Sequence, residues 1–475
     1  MLHEDRLFPA EEKTRAIARR LYDGIKDLPI VSPHGHTQAG WFVRNEPFPD
    51  PVTLLVQPDH YVFRMLYSQG ISLEELEIPP QRPRPAAGDP AGSKPVKNPH
   101  KVWRIFASNY HLFRGTPSRL WLDYVFEKLF GLTERLSAKT ADHYYDTIEA
   151  KLGEKEFLPR ALFERFRIEV LATTDSPLDA LADHKAIRES GWKGRIVPTF
   201  RPDPAVDPAF PGFFENVAAL AKLTNEDTAS WRGYLRALQA RRQFFKAMGG
   251  TATDHGHPTA KTANLDESKA EWLFGKVLEG DADAEHQELF RAQMLTEMAR
   301  MSLEDGLVMQ IHPGSVRNHN AQLHERYGRD MGADIPGPTD YVHALKPLLD
   351  RFGNEPGLSI ILFTLDETTF GRELAPMAGH YPCLRLGPPW WFFDSPEGMR
   401  RFRELVTETA GFYNTVGFND DTRAFLSIPA RHDVARRSDA AFLARMVAEQ
   451  VLDEDEAVEL AQDLTVGLVR KAYRL

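Results

Sequence analysis

Cysteine is all but missing: the 475 residues contain one, Cys383. No intramolecular disulfide can form, and a reducing compartment, the cytoplasm, is expected. Long apolar runs are also absent. No stretch approaches the roughly 20 residues that cross a bilayer, and the opening MLHEDRLFPAEEKTRAIARRLYDGI alternates charge with apolar residues where a signal peptide would carry its apolar core. That pattern predicts an amphipathic helix and no membrane partner. Positive charge is not in excess either. Lys and Arg number 58 against 68 Asp and Glu, a formal net charge of -10. Such a balance gives no long-range attraction for nucleic acid, so an anionic substrate would have to be met by local arginines. There is no fixed-period repeat.

What is present is a large supply of core material, 42% hydrophobic and 11% aromatic residues, in the proportions of a soluble enzyme. Six short apolar runs recur between amphipathic stretches: LPIVSPH (28 to 34), IEVLATTD (168 to 175), RIVPTFR (195 to 201), GLVMQIH (306 to 312), LSIILFTLD (358 to 366) and LRLG (384 to 387). This alternation predicts βαβ units around a parallel sheet, an α/β fold. Each run ends in His, Asp, Arg or Gly, at the strand ends where barrels and doubly wound sheets place their chemistry. About 130 residues separate the first two runs, far more than one crossover helix requires. The expected organisation is therefore a (β/α)8 TIM barrel with a helical insertion: 1–40 for the N-terminal helix and first strand, 41–165 for the insertion, and 166–475 for the rest of the barrel. Two stretches are expected as loops, the Pro- and Gly-rich 79–99 and the polar 251–264 (TATDHGHPTAKTAN).

His34-Gly35-His36 is the most informative tripeptide, because residues two apart on a strand face the same way about 6.6 Å apart. Pro33 before it suits a strand end. Among 17 histidines such a motif alone is as readily a surface feature. His312 closes GLVMQIH and Asp421 follows GFYNTVGFND; singly, the first reads equally as a bonded core histidine and the second as a helix N-cap. Taken together, two histidines on the first strand, one on a middle strand and an aspartate on the last would meet at the mouth of a barrel. They predict one divalent metal ion held by His34, His36, Asp421 and His312. Nitrogen and oxygen ligands suit zinc, with manganese or another first-row ion as alternatives.

With these residues stand nine motifs: PHGH (33–36), DHYVFRM (59–65), RGTP (114–117), ATTDSPLDAL (172–181), PTFRPD (198–203), TDHG (253–256), QIHPGSVRN (310–318), PWWFFD (389–394) and FNDDTRAFLS (418–427). In this order and spacing the chain resembles the uronate isomerase family of the amidohydrolase superfamily over nearly its whole length. The resemblance implies a cytoplasmic, homo-oligomeric aldose–ketose isomerase of hexuronates, interconverting D-glucuronate with D-fructuronate and D-galacturonate with D-tagaturonate. It implies His34, His36 and Asp421 as metal ligands, His312 as ligand or substrate contact, and Arg423 as an active-site arginine. His60, Tyr61, Arg201, Asp254, Arg317, Trp390 and Trp391 match segments that line the family's substrate pocket. The chain departs from the pattern at 79–99 and at Pro313.

The chemistry explains these residue types. Moving a proton from C2 to C1 through an enediol needs a base, an acid and a holder of negative oxygen charge. A cation supplies Lewis acidity, and the forks of Arg201, Arg317 and Arg423 suit a carboxylate. Asp421 is the expected proton shuttle as well as ligand, with His60 and Tyr61 as alternative acid or base. Trp390 and Trp391 suit an apolar wall over a sugar ring, one of them packing inward. Two rival readings share these residues: a metal-dependent hydrolase of a lactone, ester or amide, and a non-catalytic sugar-acid binding protein.

Overall fold

All six apolar runs form strands, and a seventh strand appears where none was expected. The computed structural model describes residues 2–80 and 97–475, so most of the predicted loop at 79–99 lies outside the described residues. The strands are β1 (Ile30–Ser32), β2 (Ile168–Asp175), β3 (Arg195–Phe200), β4 (Ala252–His255), β5 (Val308–Ile311), β6 (Ile360–Leu362) and β7 (Leu384–Leu386). Their order in the sheet is their order in the chain. Pairing is parallel, with Leu171 opposite Ile196, Asp254 opposite Gln310 and Ile361 opposite Arg385. A further parallel bridge joins Leu386 to Thr415 beyond β7. Runs rich in Val, Ile and Leu form these strands because a parallel sheet is buried on both faces.

Strand β4 corrects the expectation of an unbroken loop over 251–264. Its four residues are all buried, but three are polar, and their polarity hid the strand. Part of that polarity is bonded inside the fold: Thr253 Oγ1 pairs with His255 Nε2 at 2.9 Å, and Asp254 Oδ1 with His312 Nε2 at 2.6 Å. The loop proper begins at Gly256 and runs to the helix Glu267–Leu278.

The chain divides into two compact units, one of Met1–Glu169, Val316–Ile335 and Asp420–Ala461, the other of Val170–Ser315, Pro336–Asn419 and Gln462–Leu475. In the first unit, the amphipathic N-terminal helix runs over Glu12–Ile25, starting later than the charge pattern suggested. Glu11 caps it by accepting from the Lys13 and Thr14 N–H groups, and Thr14, Ala18, Leu21 and Ile25 form its buried stripe. That stripe lies against the helix Ile428–Ala448. There Arg437 bonds Asp433 at 3.0 Å and stacks over the Tyr22 ring. The stretch between β1 and β2 is helical where it is described, and an aromatic cluster holds it together. Trp103, Phe106, Tyr110, Phe126 and Tyr144 are fully buried and meet largely edge to face.

The second unit carries β3 to β7 and most of β2, and its helices cover the strands with buried residues such as Leu238, Met294 and Leu349. Arg242 and Asp254 are both buried completely. Arg242 grips Asp305 with two bonds, at 2.7 and 3.0 Å, while a third reaches Ser302 Oγ at 2.9 Å. A fork-on-fork pair of this kind stays buried because its donors and acceptors are matched.

Candidate functional site

Within the first unit the paired imidazoles and the distant aspartate meet. The end of β1 continues as His34-Gly35-His36, and the His36 N–H donates to the carbonyl of Thr422 at 3.1 Å, which ties this segment to the one that carries Asp421. Asp421 is not the helix N-cap it could have been, since the next long helix begins at Ile428. Its φ of +35° is a left-handed conformation unusual for a residue with a side chain. Oδ1 lies 3.4 Å from His34 Nε2 and 3.1 Å from His36 Nε2.

These separations are a test of fit for a cation. Ligands about 2.1 Å from a tetrahedral ion stand about 3.4 Å from one another, close to what the carboxylate and the two imidazoles show. Burial lowers the His36 pKa against the smaller opposing pull of Asp421, so that ring is neutral and has the lone pair a metal requires. Burial alone would raise the Asp421 carboxyl, but the two imidazoles outweigh it and hold it well below the ordinary range. The donor set is therefore two imidazoles and an ionised carboxylate, suited to a first-row divalent ion.

Around this centre the first unit places Arg423, His60, Tyr61 and Arg317. Arg423 Nη2 lies 3.2 Å from Asp330 Oδ2, and Arg317 Nη1 lies 3.1 Å from Asp334 Oδ2. Asp59 caps the helix His60–Tyr67 by accepting the Tyr61 N–H at 2.8 Å. His60 itself is half-buried, and burial with the nearby charges of Arg423, Arg64 and Arg431 pushes its pKa down to about 3. It is a neutral imidazole across the physiological range, able to take or give a proton.

The second unit holds the other expected residues. Arg201 donates through Nε to Asp203 Oδ2 at 2.9 Å, and its Nη1 forms an ion pair with Asp254 Oδ2 at 3.2 Å. His312 gives Nε2 to Asp254 Oδ1 at 2.6 Å, and its ring packs 5.0 Å from that of Trp390. Trp390 is buried and Trp391 half-buried, so one of the pair packs inward as expected. Gly256 leaves room for this array. A Cβ there would stand 2.4 Å from Arg201 Nη2 and 3.0 Å from His312 Cε1. Each of the three arginines expected to meet a substrate carboxylate is thus engaged by an aspartate of the protein, which holds its fork in place while leaving other N–H groups of its five.

Comparison with known proteins shows the family. The glucuronate isomerase family matches residues 10–471. A curated uronate isomerase of Phenylobacterium zucineum (strain HLK1) is 63% identical over 474 residues, covering 100% of this chain and 97% of that one. The chain belongs to the uronate isomerase family. Two crystal structures of uronate isomerases are similar over 100% of this chain. That of glucuronate isomerase from Caulobacter crescentus has 60% identity and a TM-score of 0.95, with 97% of its chain covered, and that of uronate isomerase from Thermotoga maritima has 28% identity and a TM-score of 0.91, with 99% covered.

Against that family frame, sequence reasoning overlooked Asp330, Asp203, His255 and His257. Asp330 sits in a loop with φ +63° and no motif marked it. Asp203 and His255 lay inside quoted motifs, PTFRPD and TDHG, yet drew no role. His257 stood one residue beyond the second. The signal that would have found it is repetition: His255-Gly256-His257 is the same tripeptide as His34-Gly35-His36. Asp203, His255 and His257 form the second of two groups, among the described residues, whose ligand atoms lie within 4.8 Å of one another.

Proposed function

We propose that this chain interconverts the aldose and ketose forms of hexuronates, D-glucuronate with D-fructuronate and D-galacturonate with D-tagaturonate. One observation carries the reading: in a member of the uronate isomerase family, His34, His36 and Asp421 converge from opposite ends of the sequence into a cation-binding geometry. His34, His36 and Asp421 would hold one divalent ion, zinc by donor type, and the ion supplies Lewis acidity at substrate oxygens. His312 belongs with the substrate contacts, because the group whose ligand atoms converge is His34, His36 and Asp421 without it.

Asp421, kept ionised, takes and returns the proton of a substrate hydroxyl. The C2 proton passes to C1 through the enediol, with His60 as a neutral acid or base and Tyr61 as the phenolic alternative. Arg423, held by Asp330, stabilises the negative oxygen of the enediol. Arg201, Arg317 and Asp254 bind substrate carboxylate and hydroxyls, and Trp390 and Trp391 wall the sugar ring. The parallel strand order, extended by the Leu386–Thr415 bridge, supports a (β/α)8 barrel whose helical insertion is 41–165, between a first part of 1–40 and the remainder, 166–475. A homo-oligomer in the cytoplasm belongs to the same reading. The lone thiol, Cys383, is buried, which pushes its pKa up to about 12, so it has no redox part to play. No described helix is long and apolar enough to cross a membrane.

A ketose assay tests the proposal. Purified protein with glucuronate or galacturonate should yield the ketose, and chelator should abolish turnover. Hydrolysis of a lactone or amide without ketose formation would replace the reading with that of a metal-dependent hydrolase, which the family match does not favour.

A further inference from the structure

The second His-Gly-His tripeptide has no part in the reaction just described, yet its environment is that of a ligand set. His255 ends β4, His257 follows two residues later, and Asp203 opens the short helix Asp203–Val206 after β3. All three lie in the second unit and all are buried, at 7% exposure for Asp203, 0% for His255 and 3% for His257.

Two features point to an occupant. Neither ring nitrogen of His257 has a hydrogen-bond partner, and Nδ1 of His255 has none. A buried imidazole left in this state loses its water without replacement, which a bound ion would remedy. The other nitrogen of His255 is anchored, since Nε2 lies 2.9 Å from Thr253 Oγ1. Such a bond on one imidazole nitrogen fixes the ring and directs the other at a metal. Asp203 is fixed as well: Arg201 Nε donates to Oδ2 at 2.9 Å and the Gly256 N–H reaches both oxygens at 3.2 Å. A carboxylate has about four acceptor positions, so these contacts orient it and leave capacity for a cation. Burial would raise its pKa, but the Arg201 guanidinium and the imidazoles of His257 and His255 outweigh that and keep it low.

We propose that Asp203, His255 and His257 form a second cation site, for a zinc-like divalent ion, in the second unit. Two imidazoles and one carboxylate match the donor preference of zinc. The burial of all three gives the site the closed character of a structural centre, and the ion there stabilises the native chain. It rests on residues separate from His34, His36 and Asp421, so the two sites can fail independently.

The test is zinc content of the full-length protein, stripped with chelator, reloaded with zinc and measured after gel filtration. Wild type should take up about two ions per chain, His34→Ala/His36→Ala about one, and His255→Gln/His257→Gln about one. In His34→Ala/His36→Ala, zinc should raise Tm, and adding His257→Gln should remove that rise. A wild type that takes up one ion and loses it with His34→Ala/His36→Ala would overturn the proposal, as would two ions in His255→Gln/His257→Gln. Should the latter double variant not fold, wild-type crystals grown with two equivalents of zinc decide: an anomalous peak at the zinc edge beside His257 supports the site, and its absence there overturns it.

Discussion

The tripeptide His-Gly-His occurs twice at strand ends, at 34–36 and at 255–257, and its two settings differ in depth and in what surrounds them. At the first, the side chains of His34, His36 and Asp421 are 6%, 26% and 14% exposed, and Arg423 follows two residues after the aspartate. At the second, Asp203, His255 and His257 are nearly sealed, and the neighbouring arginine is bonded to the acid of the cluster itself. Catalytic metal sites keep a position open to water or substrate, while structural ones close. The same three residue types therefore fit an open site in one place and a closed one in the other, according to burial and to the provenance of the acid. In the first the acid arrives from 387 positions further along, counted from His34 to Asp421; in the second it comes from the preceding strand end.

The largest break in this comparison should come from His34→Ala. Loss of one ligand from the open site should lower kcat/KM by on the order of 10²–10³-fold together with metal content at that site, and a variant with wild-type zinc occupancy and activity would remove His34 from the ligand set. Arg423→Lys comes next. An ammonium keeps the charge but not the planar fork that pairs with Asp330, so on the proposed role kcat should fall by on the order of 10²-fold with zinc content unchanged. A kcat equal to wild type would take Arg423 out of the reaction.

Gly256→Ala strikes the other tripeptide. The new methyl would meet Arg201 Nη2 at 2.4 Å and Asp203 Oδ2 at 2.9 Å, and crowding of this kind costs about 1–3 kcal/mol. Urea unfolding should record that loss, and zinc uptake at the closed site should weaken with it. Unchanged stability would mean that the Arg201 fork shifts freely, and that it does not clamp Asp203.

The six apolar strands and the open cluster were legible in the sequence because each strand announced itself by hydrophobicity, and the runs at 28 to 34, 195 to 201 and 306 to 312 end in His34, Arg201 and His312. Asp421 could be placed with His34 and His36 because parallel order brings strand ends together whatever their separation in the chain. β4 was not legible, since Thr253, Asp254 and His255 are polar and become strand only by satisfying one another inside the fold. Asp330 was hidden for another reason. Its role comes from a left-handed loop residue meeting Arg423, a relation of backbone shape that no spacing records. The closed cluster was readable as a repeated tripeptide, but its acid, Asp203, is 52 residues from His255, and only the pairing of β3 with β4 explains how the two come near.

A buried histidine bonded to the protein through Nε2 offers the finest test of the contrast. His184 is 3% exposed, and its Nε2 lies 2.8 Å from Thr173 Oγ1, whose proton goes to Asp175 Oδ2 at 2.6 Å. With the Thr173 proton so committed, Nε2 of His184 is the donor, and the ring is a structural element with no occupant to await. Burial pushes its pKa from 6.5 down to about 4. The unfolded chain therefore binds a proton at this residue below pH 6.5 that the folded chain refuses until about pH 4. Its contribution to stability is whole above pH 6.5 and is lost as pH falls through that window, at about 1.4 kcal/mol per pH unit. His184→Gln keeps a donor for Thr173 and removes the titration. The stability difference between wild type and His184→Gln, from urea unfolding, should shift against wild type by about 1 kcal/mol between pH 6.5, where the unfolded ring is already half protonated, and pH 5.5, and should not respond to zinc. A difference that stays constant with pH would show that the ring titrates alike in the folded and the unfolded chain, and one that responds to zinc would make His184 a fifth metal-linked histidine, erasing the distinction between a partnered imidazole and one that needs an ion.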